Sequence, residues 1–193
     1  FERQARSGPA GEYGFVGLPA GQFDLEVAAE GFRAVREEGL AIAIGQRARR
    51  DFQLELGQRA DSVTVSADRP LLEQDSAAVG AAIPNNSIVT LPLNGRNWLE
   101  LALLVPGTTP AAVGSSGSAR GRFAFQASGA REDANAFVYD GVYAVDPTMN
   151  SFTFTPPVDA IQEFRLDTAN SGAGLGRNSG GQVSVALKRG GNR

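Results

Sequence analysis

Acid–base or metal chemistry in this chain would have to rest on Glu132, Asp133, Asp140, Asp146, Asp159, Glu163 and Asp167, the carboxylates strung between positions 132 and 167. Two of them face to face would form a general acid/base pair, and several at alternate positions around a glycine would cradle calcium. Their spacing lacks that glycine-centred alternation, so they read as turn-formers and surface charges. Histidine and cysteine are both absent. That removes the usual base near neutral pH, the commonest metal ligand and every thiol nucleophile or disulfide. Hydroxyls, carboxylates and one lysine, Lys188, remain, and they make no nucleophile–base constellation. The run Gly172-Ala173-Gly174-Leu175-Gly176 looks like a phosphate cradle, but it lacks the P-loop lysine and a strand pattern follows it instead of a helix. The expectation is a non-enzyme with no cofactor and no metal.

The bulk numbers agree with an ordinary globular chain. Of 193 residues, 42% are hydrophobic and 20% charged, enough for one domain or two small ones. The net charge of -3 leaves no electrostatic footprint for nucleic acid, and the arginines are scattered in the manner of a solvated surface. No run approaches the roughly 18 apolar residues of a spanning helix. The longest candidate, residues 98–105, is interrupted by Glu100. The chain opens at Phe1 without methionine, signal peptide or apolar leader, which reads as a fragment or processed product.

The elements that must position these residues can be read from periodicity. In residues 22–28, Phe23, Leu25 and Val27 alternate with Gln22, Asp24 and Glu26, the pattern of a half-buried antiparallel strand. Residues 11–19, 40–44 and 51–56 read as further short strands punctuated by glycine, together a small β-sandwich. A polar join at 57–61 leads into the β-prone stretch 62–67, which Asp68-Arg69-Pro70 breaks. From Leu71 the texture becomes mixed. Residues 77–83 read as a strand and 84–91 as a short helix stopped by Pro92. An apolar, buried helix is expected over 98–105, capped by Asn97 and stopped by Pro106-Gly107. Residues 108–121 and 148–155 read as loops, and 123–127 as a strand. Residues 136–139 and 142–145 form a hairpin about Asp140-Gly141. Pro156-Pro157 opens a short helix over 158–162, and strands follow at 163–168 and 182–188. Alternating aromatics such as Phe123, Phe125, Phe137 and Tyr139 belong to the core, whereas Phe152 and Phe154 fall in a loop and are expected on the surface.

Two stretches resemble known families. Gly-x-Tyr-x-Phe at 11–15, Leu18-Pro19-Ala20-Gly21-Gln22-Phe23 and Ala29-Glu30-Gly31-Phe32 resemble the carboxypeptidase regulatory-like domain, whose fold is a transthyretin-like, carbohydrate-binding-like β-sandwich, here present in part. Four motifs farther on, in order, are similar to the plug domain of TonB-dependent outer-membrane receptors of the Oar-like type. They are Leu91-Pro92-Leu93-Asn94-Gly95-Arg96-Asn97 with Leu104-Val105-Pro106-Gly107, then Tyr139-Asp140-Gly141, then Val158-Asp159-Ala160-Ile161-Gln162-Glu163-Phe164, and lastly Gly176-Arg177-Asn178-Ser179-Gly180-Gly181-Gln182-Val183. The implied class is α+β. A partial antiparallel β-sandwich at 1–60 and a linker or TonB-box-like strand at 61–70 precede a small mixed α/β plug at 71–193.

The second resemblance implies a gate that closes the lumen of an outer-membrane β-barrel, with the preceding module in the periplasm. Lys188-Arg189-Gly190-Gly191-Asn192 is similar to the junction where such a barrel begins, so the barrel is an implied partner outside this chain. Asp61, Ser62, Val63, Thr64, Val65, Ser66 and Ala67 resemble the segment offered to the energy-coupling protein TonB, and a β-prone stretch with a free edge can bind by strand addition. Arg96 would lock the plug through an ion pair with the barrel wall or with a plug carboxylate such as Asp140 or Glu163. The loops at 108–121 and 148–155 would sense ligand, with Phe152 and Phe154 facing it. The cargo, a carbohydrate or a peptide, is not encoded here. The alternative is a secreted or periplasmic carbohydrate-binding or adhesion module resting on the N-terminal sandwich.

Overall fold

The computed structural model describes residues 2–57, the backbone of 62–66, and residues 78–112, 114, 123–146, 148, 152–169 and 178–190. The fold is α+β, dominated by a three-stranded sheet near the N-terminus and a five-stranded sheet after it.

The first sheet holds β1 (Gly21–Val27), β2 (Ala34–Ile42) and β3 (Ser62–Ser66) in that order. β1 and β2 are antiparallel, with a bulge where Asp24 on one strand opposes Glu38 and Gly39 on the other. Gly39 sits there at φ +75, which a glycine adopts without penalty. Asp24 closes the bulge: Oδ1 accepts the Gly39 N–H at 3.1 Å and Oδ2 accepts from Arg36 at 2.9 Å. The Gly39 amide, with Arg36 second, holds the Asp24 carboxyl below its ordinary range.

Three expectations for this half are corrected. The antiparallel sandwich is, among the described residues, one mixed sheet, because β3 runs parallel to β2 from Ala34↔Ser62 to Glu38↔Ser66. Residues 11–19 and 51–56 form no strand; the second stretch gives only an isolated bridge, Phe32↔Leu56. β2 also begins well before residue 40, since its ladder with β1 already pairs Val35 with Val27. The β-prone stretch expected at 62–67 is a strand over Ser62–Ser66, taken up by the sheet beside β2.

The second sheet has the order β4-β9-β10-β7-β8, made of β4 (Val79–Pro84), β7 (Ala136–Tyr139), β8 (Val142–Tyr143), β9 (Ile161–Ala169) and β10 (Gln182–Leu187). Only β7 and β10 are parallel; the other neighbours are antiparallel. A two-stranded ladder, β5 (Thr108–Pro110) with β6 (Phe125–Ala127), packs nearby. Part of the stretch expected as the loop 108–121 is thus a strand; residues 113 and 115–121 of it lie outside the described residues.

Strand alternation sorts the two faces of the five-stranded sheet. Ile83, Phe164, Leu166, Val183, Val185, Phe137 and Tyr139 point to one side and build the core with Trp98, Leu101, Ile88, Phe125 and Phe152. Trp98 is fully buried and meets Tyr139, Phe152 and Phe164 edge-on, with ring centroids 6.2, 6.0 and 6.0 Å away. Its segment, Trp98–Leu104, is a 3-10 helix where an α-helix over 98–105 is expected. Asn97 caps it by accepting the Leu99 N–H, and Thr108 Oγ1 donates to the Ala102 and Val105 carbonyls at its other end. Tied at both ends by these bonds, the seven residues hold the tighter 3-10 geometry throughout, whereas Asn85–Thr90 is α-helical. The helix expected over 158–162 is likewise a 3-10 turn, Val158–Ala160, after which β9 begins at Ile161.

The opposite face carries Glu163, Arg165 and Asp167 on β9 and Gln182 and Ser184 on β10. It is buried too. Arg165 Nε donates to both Asp167 oxygens, at 3.0 and 3.1 Å, with side-chain exposures of only 6% and 10%. Arg165 and Asp167 are therefore not surface charges. A desolvated pair of this kind adds little net stability while intact, yet losing one partner strands the other charge.

Candidate functional site

Of the four motifs of the second half, far apart in the chain, the first meets the third directly, and the hairpin that carries the second is bonded to the strand and loop that carry the fourth. Asn94-Gly95-Arg96 forms a corner in which Gly95 and Arg96 both take positive φ, 60 and 54. That backbone turns the Arg96 side chain toward Asp159, whose Oδ1 accepts from Nη2 at 2.8 Å across 63 residues. The expected partners Asp140 and Glu163 are not the ones used. Both ends of the Arg96–Asp159 pair are exposed, at 60% and 74%, so solvent screens it and it contributes at most several tenths of a kcal/mol.

Asp140 and Gly141 make the hairpin turn between β7 and β8, at φ 47 and 84, the primed geometry that Asp-Gly favours. The Asp140 carboxylate is occupied there: Oδ1 accepts the Leu187 N–H at 3.1 Å. Tyr143, on β8, donates its hydroxyl to Asn178 Oδ1 at 2.9 Å. Asn178 Nδ2 in turn donates to the Asn135 carbonyl. The Asn135 side chain, almost wholly buried, pins the entry to β10 by accepting the Gly181 N–H and donating to the Phe125 carbonyl. Gly181 has to be glycine, since a Cβ would lie 2.7 Å from Ala127 Cβ. Asn135 carries no motif of its own and was not among the expected residues; its position just before a hairpin strand is the only sign of it in the sequence.

Glu163 has a different task. Its Oε2 accepts the Ile44 N–H at 2.7 Å, a bond between the two sheets. Burial pushes its carboxyl above the ordinary range, against the opposing pull of the Ile44 amide and of Arg165. Its register neighbours, Pro84 on β4 and Ala186 on β10, carry no charge. A raised folded-state pKa means that the stability it contributes is complete below the ordinary glutamate pKa and is lost as pH rises through the raised value. Glu163→Gln keeps an acceptor and removes the penalised charge. The variant is expected to melt above the parent near about pH 7, with the gap closing as pH falls toward about 4. Thermal denaturation across that range checks this; a gap that widens on acidification contradicts it.

The loop aromatics divide. Phe152 is not on the surface: it is 8% exposed, bridges to Val145 and packs edge-on against Phe137 at 5.5 Å. Burying a phenylalanine against an aromatic cluster outweighs the polar character of the residues around it. Phe154 is 48% exposed, its ring lying 4.6 Å from that of Tyr139. Tyr139 donates its hydroxyl to the Phe154 carbonyl at 2.9 Å, and burial raises the Tyr139 phenol well above its ordinary range. Of the segment 61–67, Asp61 and Ala67 lie outside the described residues. The backbone of Ser62–Ser66 pairs with β2 along one edge and ends the strand order, so its other edge has no strand partner among the described residues. Among the described residues no group of three carboxylates gathers as a metal site, and no helix is long and apolar enough to cross a membrane.

No known family profile and no curated protein matches this chain. Several solved structures do. The ferric enterobactin receptor PfeA of Pseudomonas aeruginosa, in a mutant form bound to enterobactin, is 18% identical with a TM-score of 0.48, over 61% of this chain and 18% of that one. The siderophore receptor PirA of Acinetobacter baumannii is 18% identical with a TM-score of 0.47, over 63% of this chain and 19% of its own. The outer membrane transporter YddB of Escherichia coli is 20% identical with a TM-score of 0.49, over 57% and 17%. The match spans less than a fifth of the length of each.

Proposed function

We propose that residues 71–193 are the gating plug of a TonB-dependent outer-membrane receptor, and that residues 1–60 are a periplasmic accessory module. One observation supports this most. The motifs that resemble the plug signature, or residues next to them, are linked around one sheet by hydrogen bonds and by an ion pair that spans 63 residues. Arg96 ties the first motif to Asp159 of the third, while Asp140 and Tyr143 tie the hairpin to the strand and loop of the fourth.

In this reading the five-stranded sheet is the rigid body that fills a barrel, and its exposed residues meet the barrel wall. Arg96, in an exposed and easily exchanged pair, is the residue suited to trade Asp159 for a carboxylate on that wall. Phe154, exposed beside Tyr139, remains the ligand-facing aromatic, whereas Phe152 is structural. Asp61 through Ala67 form the coupling segment, and the open edge of β3 is the surface on which TonB would add a strand. The work of the gate is displacement, with no chemical step.

The coupling role is tested by titrating a peptide spanning residues 59–70 into the C-terminal domain of TonB. Saturable binding is expected, and it should be lost when a proline within the peptide blocks strand pairing. Absence of binding alongside a working control peptide would remove TonB coupling through this segment.

A further inference from the structure

We propose that the turn at residues 43–46 and Glu163 form a latch between the two sheets, through which unpairing or load at β3 reaches the core around Trp98. Its role rests on the reading of β3 as the coupling segment; its existence does not.

The turn is built to present one amide. Gln46 N–H donates to the Ala43 carbonyl at 3.2 Å, and Gln46 Oε1 accepts the Ala43 N–H at 2.8 Å, so the turn satisfies its own ends. Gly45 takes φ +69, and the Ile44 N–H is left to point outward, where Glu163 Oε2 accepts it. The turn also lies on the Arg165 side chain, since a Cβ on Gly45 would sit 3.6 Å from Arg165 Cδ. Among the inter-sheet hydrogen bonds given by the described residues, this one joins positions 119 apart in the chain.

The latch stands between the loaded strand and the core on both sides. β3 pairs with β2 over residues 34–38, β2 runs on to Ile42, and the turn follows at once. On the receiving side Glu163 belongs to β9, held between β4 and β10. The next residue, Phe164, points to the other face and packs on Trp98. Catch and core are thus back to back on adjacent residues of one strand. Beside the turn β2 is paired with β1, from Phe23↔Leu40 to Gly21↔Ile42, whereas β3 pairs farther back. Peeling β3 leaves β2 held on one side only, so load passes along β2 to the turn, and release of the turn frees β9 from its cover.

Amide exchange measured by NMR on the 193-residue chain, with no TonB present, tests this separately from the coupling role. Glu163→Ala should lower protection of the Ile44 amide at least roughly tenfold, while the Val185 amide, in the ladder, keeps its own. Glu163→Gln should retain Ile44 protection, because the acceptor survives. Should Glu163→Ala not fold by circular dichroism, Gly45→Val attacks the latch from the other side and should give the same loss. The double variant Val63→Pro/Thr64→Pro removes one ladder N–H of β3, since neighbouring residues alternate in direction. It should also lower protection at Ile44. Unchanged Ile44 protection in Glu163→Ala or Gly45→Val overturns the latch, as does equal loss in the Gln and Ala variants; unchanged protection in the double-proline variant overturns the coupling to β3.

Discussion

Replacing Trp98 with alanine is expected to cost about 3–5 kcal/mol of stability and to lower Tm by roughly 10 °C. The side chain is fully buried and shares ring contacts with Tyr139, Phe152 and Phe164, so its removal leaves a cavity facing three aromatics that strand and loop hold in place. Trp98→Phe separates this packing from the polar cost. The Trp98 Nε1 is buried with no hydrogen-bond partner among the described residues, a penalty of about 1–3 kcal/mol that phenylalanine does not carry. The phenylalanine variant should therefore lose far less than the alanine variant despite its smaller volume. Because Trp98 is the single tryptophan, calorimetry or far-UV circular dichroism has to follow both, not intrinsic fluorescence. Equal losses in the two variants would show that the aromatic contacts are not what the site supplies.

Gly80→Val should be comparably damaging for an opposite reason. A Cβ at Gly80 would lie 2.3 Å from the Leu166 carbonyl oxygen and 2.8 Å from Asp167 Cα, both backbone atoms of β9 that have no way to step aside. It would also press on Asp167 Oδ1 at 2.4 Å, the atom that accepts from buried Arg165. β4 must then leave β9, or the buried ion pair must break, at about 3 kcal/mol or more. Gly95→Ala is the control. Nothing lies within 4 Å of its Cβ and only the positive φ is strained, so about 1 kcal/mol is expected. Urea denaturation of the three proteins ranks them. A Gly80 variant as stable as the Gly95 variant would mean that β4 does not sit on β9 as described.

Much of this architecture is legible from local chemistry. Alternation marks β1, β9 and β10; Asp140-Gly141 marks the hairpin; Asn97 marks the start of the Trp98 segment, and its side chain does cap it. What is not legible depends on partners distant in the chain. Glu163, Arg165 and Asp167 alternate as a polar face should, but alternation says only that a face is polar, not whether something covers it. The same limit hides the pairing of β3, whose partner strand ends at Ile42, before a stretch that is described over residues 43–57 and holds no strand there. Phe152 misleads because its neighbours are polar while its own ring is not. Arg96 is recognisable as an arginine suited to an ion pair, but its partner Asp159 is chosen by the corner at Gly95 and Arg96, a backbone detail that residue types alone do not encode.

The central proposal is that this chain closes a pore. The direct measurement is the conductance of the parent protein in planar bilayers, with the plug present and with residues 71–190 deleted. The account predicts a silent or nearly silent bilayer for the intact protein and large, steady open-pore conductance after deletion. Equal conductance in both, or none in either, would contradict it.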